Sequence, residues 1–190
     1  MPASRNRMPR VRLAQAGLVV LAGVLLARPA GHAAGRFTAE RSAARAWSDV
    51  RSGARPPAPG DPVARLRIAS AGLDINVLDD ATEENLHRLP ALSRQGQSAT
   101  GGDLKIVLGH RDTHFNALKH VTTGDMVLWD THMGGARYRV ASVSVTSPED
   151  VEARLETLRG ADRLVLVTCF PFRYLGSAPD RWLAVCERVR

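Results

Sequence analysis

A chain of 190 residues has room for one ordinary domain and a tail, but not for two large domains, and an apolar share of 44% beside 24% charged residues reads as a globular protein. The net charge of +7 is unevenly placed: ten arginines face two acids in residues 1–60, whereas residues 61–190 hold 16 basic and 17 acidic groups. That balance excludes a nucleic-acid-binding domain, which needs a basic face of its own.

In chain order, Arg5, Arg7, Arg10 and Arg12 precede the apolar run Leu13 to Ala27, which Arg28 closes. This is the layout of a charged n-region and an apolar h-region with a cytoplasmic N-terminus. Fifteen residues are short of the ~20 that span a bilayer. The small residues of "GHAAG" at 31–35 offer a cleavage site that His32 interrupts. An uncleaved single-pass anchor is the preferred reading and a cleaved signal the second, with a buried soluble helix behind them; both leading readings export the domain. Residues 1–34 are therefore taken as cytoplasmic tail and signal-anchor helix.

Residues 37–52 carry Phe37, Ala43, Ala44, Trp47 and Val50 at roughly helical spacing, interrupted at Glu40. An amphipathic helix results, packed on the domain or lying at a membrane surface. "SGARPPAPGDP", 52–62, breaks regular structure and reads as a stiff linker. Residues 35–61 thus form a helix and linker, and 62–190 form the main domain.

From Pro62 onward the pattern is mainly β. Strands are expected at 63–70, 73–78, 104–109, 126–131, 138–145, 163–169 and 182–189, separated by Gly, Pro and Asp turns. Seven or eight short strands of this kind suggest a closed or sandwich-like β-domain. Short helices are expected at 82–89, at 114–120, and at 147–160, where Ser147 is read as N-cap with Pro148 and Asp150 in the first turn.

Three polar residues stand out at strand ends. Cys169 closes "LVLVTC", His110 follows "LKIVLG", and Arg181 opens the last strand after the loop "FPFRYLGSAPD". A cysteine reacts as its thiolate and needs a neighbouring base or positive charge. An arginine on a strand antiparallel to that of Cys169 could donate to a developing oxyanion. Spacing alone leaves the ordinary alternatives standing: a packed core cysteine, a structural histidine and an ion-pair arginine. His110, Asp112 and His114 lack the spacing of a metal cluster, so no metal or cofactor is expected and the last two are read as loop-shaping neighbours.

"VLGHRDTHF", "LVTCFPF" and "DRWLAV", in this order, resemble the sortases, cysteine transpeptidases built on an eight-stranded β-barrel. The family's threonine-leucine-any-threonine-cysteine signature is matched at Leu166, Thr168 and Cys169 and departs at Val165. The wording looks most like the class D and Gram-negative sortases and covers 62–190. The resemblance implies a closed eight-stranded barrel with a few short helices. It implies Cys169 as nucleophile, His110 as general acid and base, and Arg181 as donor to the oxyanion and the substrate carbonyl. Thr168 would orient substrate, and Val151, Leu155 and Leu158, on the helix at 149–159, would line the groove for its Leu-Pro part, although a core-facing stripe explains them equally. Arg173 rivals Arg181, or meets an acidic group of the substrate; a strand start is held more rigidly than a loop, which favours Arg181.

The implied partners are a protein with a C-terminal Leu-Pro-any-Thr-Gly-like sorting signal, an amine or water acceptor, and the inner membrane, with the domain on its periplasmic or extracytoplasmic side. The other readings are a cysteine peptidase that mainly hydrolyses the signal, and a non-catalytic exported binding barrel. Cys186 lies five residues beyond Arg181 and on the opposite face of its strand. It stands about 16 Å along at ~3.3 Å per residue, too far for a disulfide to Cys169.

Overall fold

The computed structural model describes residues 38–56, 58, 60–93 and 104–190. The chain divides into two units, Met1–Thr38 and Ala39–Arg190. The expected anchor at Leu13–Ala27, its flanking arginines and Phe37 lie outside the described residues. Among the described residues no helix is long and apolar enough to cross a membrane.

The larger unit is a closed barrel of eight strands: β1 (Pro62–Ile68), β2 (Leu73–Asp79), β3 (Ala91–Leu92), β4 (Lys105–Leu108), β5 (Met126–Thr131), β6 (Gly134–Thr146), β7 (Arg163–Phe170) and β8 (Asp180–Arg188). Their order around the barrel is β1-β2-β3-β4-β7-β8-β6-β5, and β5 returns to β1. Most neighbours are antiparallel; β2 with β3 and β4 with β7 are parallel. The strand missing from the sequence reading is β3. Two residues cannot display a period of two, and the segment is a strand only because β2 and β4 flank it.

β1 alternates buried and half-buried residues because one face looks into the barrel and the other outward. β7 and most of β8 are buried continuously because both of their faces are covered. Inside, Leu164, Leu166, Ala184 and Cys186 join Leu66, Val107 and Tyr138 in the main core. Outside, Val165, Val167, Leu183 and Val185 pack with Ile106, Leu155 and Leu158 in a second cluster. The run "LVLVT" is apolar without alternation for that reason.

Among the described residues, three α-helices decorate the barrel. The helix spanning 38–51, α1, buries Ala43, Trp47 and Val50, four and three residues apart, so one stripe faces inward. Ala43 belongs to the barrel core, while Ala44 is exposed. The bend after α1 is closed by Arg55, whose two terminal nitrogens donate to Asp61 at 2.5 and 2.9 Å. α2 (Glu83–Arg88) is capped by Thr82, whose hydroxyl accepts from Asn85 N at 3.2 Å. α3 (Val151–Glu156) is shorter than expected: its N-cap is Asp150 rather than Ser147. Ser147 still braces the entry turn, accepting from Asp150 N at 3.3 Å and donating to Asp150 Oδ2 at 2.8 Å. Segment His114–His120 is a 3-10 helix.

Candidate active site

The strand register brings the three singled-out residues to one rim. Cys169 on β7 is the direct antiparallel partner of Arg181 on β8, which sets their Cα atoms about 4.5–5.5 Å apart. On the other side of β7, β4 runs parallel, with Leu108 opposite Val167. Gly109 N donates to Val167 O at 3.3 Å, so the same register continues past the end of β4 and brings His110 alongside Cys169. Neighbouring strands lie about 4.8 Å apart. The backbone register therefore places Cys169 between His110 and Arg181, although 59 and 12 residues of chain separate them.

Side-chain alternation turns Cys169 and Arg181 to the outer face, the face on which Val165, Val167, Leu183 and Val185 pack. Cys169 is half-buried and Cys186 fully buried, and both are free thiols. Burial pushes the Cys186 thiol up to about 12, which leaves it un-ionised at neutral pH. Arg181 is half-buried; its Nη1 donates to Ala178 O at 3.2 Å and to Asp180 O at 2.9 Å. The peptide Phe170-Pro171 is cis, and Phe170, Phe172 and Trp182 pack edge to face below the loop that follows Cys169.

The turn that carries His110 is fixed from three sides. Thr168 Oγ1 donates to Gly109 O at 2.7 Å, and Phe115 N donates to His110 O at 3.1 Å. A Cβ on Gly109 would stand 2.8 Å from the Phe115 ring, which is fully buried, so glycine lets the turn lie flat against that ring. His110 is half-buried. Its Nε2 is shielded from solvent and has no hydrogen-bond partner among the described residues. His114 starts the 3-10 helix with its side chain 5% exposed and its Nδ1 3.5 Å from Glu40 Oε1 of α1, tying that helix to the same turn.

The remaining expected contacts separate into two groups. Thr168 is buried at 3% exposure, and its hydroxyl is occupied by the Gly109 carbonyl. Its direct contact is with the turn before His110. Leu155 and Leu158 pack into the outer cluster over β4, β7 and β8, whereas Val151 is half-buried outside it. Arg173 is exposed in the β7–β8 loop and makes no hydrogen bond to any described residue. No group of three or more His, Cys, Asp or Glu side chains among the described residues is placed to hold a metal ion.

The Sortase domain family model matches residues 66–189. The chain belongs to the sortase family. Sortase D of Bacillus subtilis (strain 168) is 29% identical over 84 residues, a match that spans 44% of this chain and 42% of that protein. Among solved structures, a Clostridium perfringens sortase D5 transpeptidase aligns with a TM-score of 0.64 at 15% identity, covering 83% of this chain and 99% of its own. Sortase C2 of Group B Streptococcus pilus island 1 aligns at 0.60 and 23% identity over 68% and 74% of the two chains. Streptococcus pneumoniae sortase C aligns at 0.60 and 18% over 83% and 89%. At such identities these structures speak for the barrel alone.

Two residues of this sortase domain beside the site went unnoticed in the sequence. Arg111, next to His110, donates from Nη2 to Tyr174 O at 3.0 Å and to Gly176 O at 2.9 Å, and its guanidinium lies 5.9 Å from the Tyr174 ring centre. Its place inside "GHRDTHF" was the available signal. His87 on α2 has its ring centre 5.4 Å from that of His110, tilted by 34°. No spacing rule links the two, because the contact depends on how α2 folds back over the rim.

Proposed function

We propose that this sortase-family chain is a cysteine transpeptidase that cleaves a Leu-Pro-any-Thr-Gly-like sorting signal and transfers the acyl group to an amine. The observation that carries the reading is the register pair Cys169–Arg181 with His110 at the end of the adjacent parallel strand. The Cys169 thiolate attacks the Thr carbonyl, and Arg181 donates to the oxygen as it gains charge. The Thr–Gly bond breaks, His110 protonates the departing Gly amine, and a thioacyl-enzyme remains. His110 then takes a proton from the incoming amine as it displaces Cys169.

Leu155 and Leu158 supply an apolar flank beside β7 that suits the Leu-Pro part of the signal, with Val151 at its margin. Arg173, exposed in the β7–β8 loop, suits an acidic group of the substrate. Thr168 serves the same chemistry indirectly by fixing the Gly109 carbonyl. A class D-like sortase is favoured by the Bacillus subtilis relative and by the "GHRDTHF" and "TCFPF" wording; the Gram-negative assignment rests on that wording alone. The arginine-flanked run at 13–27 supports attachment to the cytoplasmic membrane, with the barrel on the extracytoplasmic side.

The test is turnover of a Leu-Pro-any-Thr-Gly peptide with and without an added amine, followed by mass spectrometry of the enzyme. The expected results are a Cys169-linked acyl intermediate, amine-dependent product, and no turnover by Cys169→Ala. Arg181→Met, which removes the donors, should lower kcat about 10²–10³-fold, as loss of an oxyanion donor does, and Arg173→Ala should lower it far less. Cleavage indifferent to amine would make the protein a hydrolase. Turnover that survives Cys169→Ala would end the reading.

A further inference from the structure

Arg111 joins two parts of the rim that the backbone leaves separate. It follows His110 in the turn after β4, yet its Nη2 reaches the carbonyls of Tyr174 and Gly176 in the loop between β7 and β8, 63 and 65 residues on. Residues 173–177 of that loop are exposed throughout, and Leu175 at its tip is 98% exposed. Among the described residues, the side-chain hydrogen bonds between this tip and the rest of the barrel come from Arg111 alone. Two carbonyls converging on one charged nitrogen hold a loop in a defined place at modest entropic cost, because charge-assisted bonds are stronger than neutral ones. The guanidinium plane beside the Tyr174 ring adds a second contact at the same point.

We infer that Arg111 is a positioning residue that docks the β7–β8 loop against the His110 turn, and that the docked loop presents Arg173, Tyr174 and Leu175 to the peptide substrate beside Cys169. Because Cys169 lies on β7 between β4 and β8, a link from the β4 side to the β7–β8 loop fixes one wall of the substrate groove next to the thiol. Leu175, fully in water, gives an apolar contact to a peptide side chain that arrives, and Arg173 gives a charged one. Capture of the peptide thus depends on a residue adjacent to the proposed acid and base that does not itself touch the reacting atoms. The inference rests on the transpeptidase reading for its substrate, while the docking of the loop stands apart from it.

Arg111→Met keeps the apolar stem and removes the donors, whereas Arg111→Lys restores one charged donor nitrogen. Hydrogen–deuterium exchange of peptides covering 171–179 should rise in Arg111→Met relative to wild type and fall back part of the way in Arg111→Lys. On a Leu-Pro-any-Thr-Gly peptide, KM should rise about tenfold in Arg111→Met with kcat within about threefold, and Arg111→Lys should recover part of the loss. Alkylation of Cys169 by iodoacetamide, a reagent too small to need the groove wall, should stay within about twofold. Unchanged exchange over 171–179 in Arg111→Met would overturn the docking role. Raised exchange with KM unmoved, or kcat and alkylation falling together, would overturn the substrate-capture role. A wild-type protein inert toward every sorting peptide would defeat the transpeptidase reading instead, and the exchange result would still decide whether Arg111 holds the loop.

Discussion

Replacing Gly109 by alanine tests how the His110 turn is held. The added Cβ would sit 2.8 Å from Cγ and Cδ2 of Phe115 and 3.1 Å from its Cε2. Carbon atoms rest about 3.5–4.0 Å apart, so ring and turn must separate by roughly 1 Å. Phe115 is fully buried in the main core, so its ring moves only by displacing packed neighbours. The turn, in contrast, is anchored by the Thr168 hydroxyl on Gly109 O at 2.7 Å and by Phe115 N on His110 O at 3.1 Å, so either neighbour yields only by losing contacts. Overpacking of this kind costs about 1–3 kcal/mol of stability. A 1 Å displacement of a catalytic group costs on the order of 10²-fold in rate. Thermal unfolding and peptide turnover should therefore both respond, with turnover responding more. Adding Phe115→Leu removes the ring edge that collides. The double variant should be less impaired than the two single changes predict together, a coupling that a thermodynamic cycle measures. Wild-type turnover in Gly109→Ala, or strictly additive losses in the double variant, would refute the close approach as the reason for glycine.

The two thiols should differ sharply: iodoacetamide at neutral pH should modify one cysteine in the folded protein, Cys169, and both only after denaturation, since burial keeps Cys186 protonated with its thiol at about 12; intact-mass measurement reads this directly. Trp47→Ala should cost about 3–5 kcal/mol, as large buried aromatics do, and lower Tm on the order of 10 °C at about 2–4 °C per kcal/mol; a fall under about 2 °C would mean that α1 is not part of the folded unit. Asp162 accepts from the Tyr138 hydroxyl at 2.7 Å, Lys105 at 3.0 Å and Arg188 at 2.6 Å. Burial by itself would raise its carboxyl, but these donors, the Tyr138 hydroxyl first, outweigh it and hold it below the ordinary carboxylate range. The stability it contributes is therefore full above about pH 4 and disappears as the pH falls through its lower folded value. Asp162→Ala, which leaves the buried Tyr138 hydroxyl without that acceptor, should cost about 1–3 kcal/mol at pH 7, and the Tm gap to wild type should narrow below pH 4.

Most of the barrel was legible because its strands are long enough to show a pattern. β1 alternates, β7 and β8 are continuously apolar, and the turns between them carry Gly, Pro and Asp. Parity along β8 separated the Arg181 face from the Cys186 face, and the structure has Leu183 and Val185 outside and Cys186 inside. Features set by partners rather than by local sequence were not legible. β3 exists through its neighbours, and α3 begins at Val151 because the Ser147–Asp150 turn consumes the cap first expected to start the helix. The family resemblance gave Thr168 a part in orienting substrate, and no spacing in the sequence shows that its hydroxyl donates to the Gly109 carbonyl across the β4–β7 pair. Arg111 and His87 act across long stretches of chain, and nothing in their spacing announces it.

The parallel pairing of β4 with β7 explains why the site can be assembled at all. Parallel neighbours run in the same direction, so both leave the barrel at the same rim, one passing to His110 and the other ending near Cys169. β8, antiparallel to β7, must enter at that rim, which brings Arg181 to the third position. A parallel pair needs a long crossover, here the whole of β5, β6 and α3. α3 and the turn after it then use Leu155 and Leu158 to cover the outer face of the strands that they connect. The crossover thus pairs the two strands and also walls their outer surface beside Cys169. It follows that substitutions at Leu155 or Leu158 act on the packing over the strands beside Cys169, whereas Arg173 and Leu175, exposed in the β7–β8 loop, can vary without disturbing the strands that hold Cys169 and Arg181.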